Sequence, residues 1–432
     1  MVGGPKVMPL KGCRTNGFIQ GSMPRTVSLP MEETLIAEAI QKGHGTIHCL
    51  RAPEGFDKNL AWELANLIRI AYGDYEKFDH NNDPAGLIQE HDTIWLPPEG
   101  VNGLVKHFWL SRAREDHSSG EDLAVVKEAI PYKVLAVFTY LAFNLAVPPE
   151  PEVDRFGLIL ERQSSEGRRD LYLVFRGTME PSEWFNDFQY KQIPFLMPDQ
   201  GFSGLGEICL GFNKIYTDYR PGLLIDAKVV NKYARWIDEQ VRAKVMADHR
   251  SICQQHKLSM KDTVHQKLGA LLEAGAPPTS LHVTGHSLGA ALATICALHA
   301  SVLCEKKGVA CPVDLYTFAS PRVGDSRFAK ACEERIQAFR IANSEDVVPG
   351  IPPATLRVVG EEMSPGPHVE AARLALAALT GGVSNDVFEH VGVPVYFSLQ
   401  LGEISSNHNM GHTYCSPLAA GLPPSSGRSQ GR

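Results

Sequence analysis

The sequence has no C-x-x-C pair, no apolar run of membrane-spanning length and no excess of positive charge. Each absence removes a class of function. Nine cysteines, scattered from Cys13 to Cys415 without that spacing, make neither a zinc ribbon nor a thioredoxin-type redox pair. Cys296 and Cys304 lie in an apolar stretch and read as small buried hydrophobes, and the odd, dispersed set favours a reducing compartment. The longest apolar run, VLAVFTYLAFNLAV at 134–147, ends at Pro148-Pro149. A spanning helix needs about 20 residues, so the expectation is no transmembrane segment and a buried helix at this place. A net charge of -7 provides no clustered positive field, and nucleic acid is excluded as a partner.

The first 31 residues lack the apolar centre of a secretory signal. They carry Lys6, Lys11, Arg14 and Arg25 and no acidic residue, a weakly transit-like pattern, so a cytoplasmic or organellar location is expected. Residues 1–30 read as a disordered N-terminal tail and 421–432, GLPPSSGRSQGR, as a disordered C-terminal one. Between them, 31–420 is expected to be one domain with an insertion around 76–130, a polar stretch without periodicity.

What is present supports a large core, with 44% hydrophobic and 21% charged residues in 432. NLAWELANLIRIAYGDY (59–75) has apolar residues at helical spacing. FGLILE and LYLVFRG, split by the turn RQSSEGRRD, read as paired strands. An amphipathic helix over 226–246 follows. Next come strand LHVTG, helix 288–303, strand VDLYTFAS, a helix near 325–335, strand QAFRIAN, a helix at 368–382 and strand PVYFSLQLGEI. That alternation predicts an α/β class with a mostly parallel central sheet and helices on both faces.

One junction is unusual. Gly285-His286-Ser287-Leu288-Gly289 sits where a strand passes directly into a helix. A serine on such a turn projects its hydroxyl beyond the strand's carboxyl edge, beside unpaired amides at the helix start, and the turn has room for little but glycine two positions either side. A second G-x-S-x-G, Gly427 to Gly431, has neither strand before it nor helix after it and belongs to the tail. A serine hydroxyl needs a base and an orienting carboxylate, in chain order Ser, Asp, His for the α/β-hydrolase fold. Asp346 directly follows QAFRIAN. Glu345 beside it is expected to face solvent. His408 and His412 follow the last strand. Those two are four apart, but no H-E-x-x-H pattern or third ligand accompanies them, so no metal is expected.

At these residues the chain resembles the class 3 lipase family. The likeness is carried by VFRGT (174–178), VTGHSLGAALA (283–293), YTFASPRVGD (316–325) and RIANSEDVVPGIPP (340–353), and less strongly by HVGVPVYF and NHNMGHTY. It implies an α/β-hydrolase fold with Ser287 as nucleophile and Asp346 as the acid. His408, followed by Met410, is the preferred base, with His412, nearer Tyr414, as the alternative. It also implies an oxyanion hole from Thr178 and Leu288, and a lid at 179–188 whose Trp184, Phe185 and Phe188 touch substrate. The implied activity is hydrolysis of lipid acyl esters of the triacylglycerol or acylglycerol type, without cofactor. Phospholipase A1 or galactolipase action, or a non-catalytic scaffold, are the alternatives. The implied partner is a lipid ester, met at a membrane or lipid-droplet surface.

Overall fold

The apolar runs from residue 156 onward pair into one sheet. A computed structural model describes residues 25–28, 48–49, 52–81, 88–97, 107–111, 129–144, 150–164, 166–178, 191–195, 204–217, 258–274, 276–352 and 387–420. Its strands are β1 (Arg25–Ser28), β2 (His48–Cys49), β3 (Thr93–Leu96), β4 (His107–Ser111), β5 (Ile130–Asn144), β6 (Glu150–Gln163), β7 (Arg169–Phe175), β8 (Gln192–Pro194), β9 (Glu207–Cys209), β10 (Ser280–His286), β11 (Val313–Phe318), β12 (Gln337–Asn343) and β13 (Val393–Ser398). The helices that matter here are α1 (Lys58–Asn81), α2 (Leu210–Thr217), α3 (Leu288–Lys306) and α4 (Ser326–Glu333).

Eleven strands form one sheet in the order β1-β4-β3-β5-β6-β7-β10-β11-β12-β13-β2. The sheet is mixed. From β7 through β10, β11 and β12 to β13 every pairing is parallel. From β1 to β7, and at the β13–β2 edge, every pairing is antiparallel. In the parallel half β7, β10, β11 and β12 are buried on both faces, as helical crossovers require, while β13 leaves Val393 exposed. Along β7, Leu171, Leu173 and Phe175 join the cluster that contains α2, α3 and α4, whereas Tyr172 and Val174 join the cluster built around α1. The period of two thus divides one strand between two cores.

Helix α3 is the centre of the first cluster. Nearly every residue from Leu288 to Cys304 is buried, including Cys296 and Cys304, because β10, β11, α2 and α4 surround it. It is long and apolar enough to cross a membrane, yet 94% of its most apolar stretch lies inside the molecule. Burying each leucine or isoleucine there contributes roughly 1.5–3 kcal/mol.

The run at 134–147 corrects an expectation. It does not form a helix; its described part belongs to β5, paired antiparallel with β6 from Lys133↔Glu161 to Asn144↔Glu150. Tyr132, Val134, Ala136 and Phe138 are buried while Lys133, Leu135 and Val137 are not, a strand's alternation hidden in the sequence by apolar residues on both faces. Val, Phe, Thr and Tyr also favour strand over helix. Within the stretch read as an insertion, β3 and β4 add to the antiparallel half, and Arg25–Ser28 of the N-terminal segment pairs with β4. The helices expected at 226–246 and 368–382 lie outside the described residues.

Candidate active site

Four loops leave the carboxyl ends of β7, β10, β12 and β13, the edge at which open parallel sheets bind ligands. The tightest is the β10–α3 turn. Ser287 is held at φ 58°, ψ -126°, an unfavourable conformation that costs on the order of 1–3 kcal/mol for a residue with a side chain. Its glycines are required by contact. A β-carbon on residue 285 would sit 2.2 Å from the Gly289 carbonyl oxygen, and one on residue 289 would sit 2.2 Å from the Arg176 carbonyl oxygen. The turn is pinned from the next strand as well, since the Ser287 N–H donates to the Phe318 carbonyl at 3.0 Å.

Ser287 starts α3 but its hydroxyl caps no amide of that helix. It lies 2.8 Å from His408 Nε2, and His408 Nδ1 lies 2.7 Å from Asp346 Oδ2. A carboxylate can only accept, so Nδ1 carries the imidazole proton and Nε2 is left to accept from the serine. All three side chains are buried: Ser287 and Asp346 are 0% exposed and His408 4%. The sequence separations are 121 residues between Ser287 and His408 and 62 between His408 and Asp346.

Asp346 accepts two further hydrogen bonds, from the Val348 N–H to Oδ1 at 2.9 Å and from the Tyr414 hydroxyl to Oδ2 at 2.6 Å. Burial, and then the adjacent Asp346 carboxylate, push the Tyr414 hydroxyl well above its ordinary pKa, so it stays a donor. Two asparagines tie the acid loop to the base loop. The Asn343 amide donates to the carbonyls of Leu399 and Asn407, and that of Asn407 donates to the Glu345 carbonyl and to Gln400 Oε1. Arg322 steadies the far side of the acid loop by donating to the Gly350 and Pro352 carbonyls.

His412 takes no part in this chain of bonds. It sits in the turn Met410–Tyr414, where its N–H donates to Asn409 Oδ1 at 2.9 Å. Glu345 departs from expectation: it is half-buried, receiving bonds from Ser398 Oγ and Gln400 Nε2, because the asparagine network draws its loop inward. Trp184, Phe185 and Phe188 lie outside the described residues. Among the described residues, no group of three or more His, Cys, Asp or Glu side chains is placed to hold a metal ion.

Of the two residues singled out for an oxyanion hole, Leu288 directly follows the serine, and Thr178 follows Gly177, where a β-carbon would sit 2.8 Å from Ser287 Cβ. Leu288 is the first residue of α3, whose opening amides have no acceptor within the helix. Thr178 lies in the loop that follows β7, and its Oγ1 is buried without a hydrogen-bond partner among the described residues. Arg176 fixes the root of that loop by donating to the carbonyls of Arg155 and Gly177.

Two tyrosines escaped the sequence reading. Tyr414 closes the NHNMGHTY stretch, so its proximity to the base was visible though its bond to Asp346 was not. Tyr72, on α1, contacts both the Gly177 amide and His286, from 105 and 214 positions away. Nothing local announces it.

Residues 172–356 match the family model described as Lipase (class 3). Phospholipase A1-II 4 of Oryza sativa subsp. japonica is 32% identical over 202 residues, 46% of this chain and 43% of that protein. Phospholipase A1-IIgamma of Arabidopsis thaliana is 32% identical over 204 residues, 45% of this chain and 42% of that protein. The matched stretch thus spans less than half the length of these curated relatives. Among solved structures, a Rhizomucor miehei lipase propeptide complex is similar with a TM-score of 0.32 and 19% identity, covering 62% of this chain and 56% of that one. At that score the superposition adds nothing to the fold, which the strand order carries. The family match runs from β7 to the Asp346 loop, the part of the sheet that supports the site, and over that stretch the chain is similar to class 3 lipases.

Proposed function

We propose that the chain is a serine carboxylester hydrolase acting on lipid acyl esters through an acyl-enzyme. One observation carries the reading: Asp346, His408 and Ser287 form an unbroken hydrogen-bonded series that ends on the serine oxygen. In the first half-reaction Ser287 Oγ attacks the ester carbonyl carbon while His408 Nε2 takes its proton. Asp346 holds the imidazole in the tautomer that can accept, and its charge favours the imidazolium that forms. The carbonyl oxygen becomes an oxyanion facing the Leu288 and Thr178 amides and the Thr178 hydroxyl. Losing one such donor typically costs about 3 kcal/mol of barrier. The carbon–oxygen bond then breaks and the alcohol departs with the proton from His408. Water, deprotonated by the same imidazole, repeats the sequence and releases the fatty acid.

Among lipid esters, the names of the two plant relatives favour a phospholipid over a triacylglycerol. Such substrates gather in bilayers or droplets, so the reaction is set at a lipid surface. The test offers p-nitrophenyl butyrate, phosphatidylcholine vesicles and emulsified triolein to the wild type and to Ser287→Ala. Release of fatty acid from the vesicles by the wild type alone supports the reading. Release from triolein alone moves the substrate to triacylglycerol, and no hydrolysis of any of the three overturns it.

A further inference from the structure

We infer that Tyr72 is a positioning residue for the oxyanion loop, working as a pair with His286. The inference rests on the hydrolase reading above. Three observations outside the triad converge on one hydroxyl. The Gly177 N–H donates to Tyr72 Oη at 2.9 Å, and Tyr72 Oη lies 2.8 Å from His286 Nδ1. A β-carbon on residue 177 would meet Tyr72 Oη at 2.5 Å, the His286 carbonyl oxygen at 2.8 Å and Ser287 Cβ at 2.8 Å. Gly177, the residue before Thr178, is therefore packed directly against both the nucleophile and the Tyr72 hydroxyl to which its N–H is bonded.

A tyrosine hydroxyl has one proton and two lone pairs. In the inferred pairing one lone pair takes the Gly177 N–H and the hydroxyl proton is donated to His286 Nδ1, the unprotonated nitrogen of a neutral ring whose hydrogen is on Nε2. The surroundings of His286 keep it neutral. Burial, and then the neighbouring His408, hold its pKa well below the ordinary histidine value. Its ring packs against His408 with centroids 4.7 Å apart and edge-on to Tyr414 at 5.5 Å. His286 thus touches the base on one side and orients Tyr72 on the other, and Tyr72 fixes the amide one residue before Thr178.

The chemical consequence is specific. The 176–178 segment continues from β7 without a helix or strand of its own, and beyond the Arg176 N–H, which donates to the Phe156 carbonyl, its peptide groups are held by the Tyr72 and Arg176 side chains. The Gly177 N–H bond to Tyr72 holds the 176–177 peptide plane, the Arg176 guanidinium holds the next plane by donating to the Gly177 carbonyl, and together they set where Thr178 stands relative to the developing oxyanion. Donors prepared in advance stabilise the transition state without reorganisation during the reaction. Tyr72 itself touches no reacting atom in this arrangement; it acts through Thr178. It also lies on α1, outside the matched residues 172–356, so this support comes from a part of the chain that the family model does not span.

Tyr72→Phe keeps the ring and removes the hydroxyl. With p-nitrophenyl butyrate, kcat is expected to fall about 30-fold with KM within about twofold, since the lost interaction serves the transition state and not the bound ester. A double-mutant cycle separates positioning from general loosening. Thr178→Ala is expected to lower kcat about tenfold in the wild-type background and less than about twofold in Tyr72→Phe, because a misplaced loop has little left to lose. Losses that multiply, or a Tyr72→Phe kcat within about twofold of wild type while Ser287→Ala is inactive, would overturn the inference and leave the hydrolase reading standing. Activity retained in Ser287→Ala would instead overturn that reading. Should Tyr72→Phe fail to fold, as judged by circular dichroism, His286→Phe takes its place. It removes the acceptor that orients the hydroxyl, and the same non-additivity with Thr178→Ala is required of it.

Discussion

The two halves of the sheet use buried polar groups in opposite ways. In the antiparallel half the charges close on one another. Arg155 Nε meets Asp74 Oδ2 at 2.6 Å, and Arg162 Nη1 reaches Glu63 Oε1 at 2.8 Å, each joining β6 to α1. In the parallel half the groups form a series with direction: Tyr414 and Val348 to Asp346, Asp346 to His408, His408 to Ser287. It ends on the Ser287 hydroxyl, not on a counter-charge. Topology accounts for the difference. Parallel strands deliver all their carboxyl ends to one edge, so four loops meet there, whereas antiparallel strands send alternate ends to opposite edges. Buried ionisable groups stabilise where they are answered and react where the last one is left open.

That contrast can be broken by experiment. Ser287→Ala removes the open end, and hydrolysis of p-nitrophenyl butyrate is expected to fall on the order of 10⁴-fold or more with an unchanged melting temperature. His408→Ala is expected to cost on the order of 10⁴-fold, and His412→Ala no more than about threefold. The reverse ranking would relocate the base. Tyr414→Phe deletes one of the bonds to the Asp346 carboxylate; a kcat loss of about tenfold and a stability loss of about 2 kcal/mol in urea unfolding are expected together. The antiparallel half should respond differently. Asp74→Asn leaves the largely buried Arg155 without its counter-charge, and about 3 kcal/mol of stability is expected to go while kcat stays within about twofold. A matching fall in kcat would show the two halves to be coupled.

The smallest effect concerns pH. His286 has a folded-state pKa depressed below 6.5, so the folded protein resists a proton that the unfolded chain accepts. Its contribution to stability is full above about 6.5 and is lost as pH falls from there toward the folded value. His286→Gln is expected to be less stable at neutral pH and to show a shallower decline between about pH 6.5 and 5, read from urea midpoints. An unchanged slope would assign the acid limb to other groups.

Legibility in the sequence follows the range of the interactions concerned. QAFRIAN coincides with β12 from Gln337 to Asn343, because turns bound it and Ala338, Phe339, Ile341 and Ala342 give it an apolar content broken only by Arg340. Ser287, Asp346 and His408 could be named because each depends on local chemistry, a strained turn or the loop after a strand, and because the fold prescribes their order. β5 was misread because apolar residues on both faces erase the alternation that marks a strand. β1, β3 and β4 were missed since each is short and β1 pairs with a partner some eighty positions away, from Arg25 to Leu110. Tyr72 follows the same rule. A tyrosine on an amphipathic helix reads as part of a buried face, and its bond to His286 exists only once the sheet has brought α1 across.

The mostly apolar, buried surface of α3 bears on how the chain is made. Of the elements that cover it, β11 and α4 lie later in the sequence, so a ribosome that has just emitted Lys306 has produced a greasy rod without its wrapping. Until translation passes Glu333, that segment is an adhesive site for chaperones and for other nascent chains. Synthesis slowed over 307–333 would therefore lower the yield of folded protein more than an equal delay before Ser280.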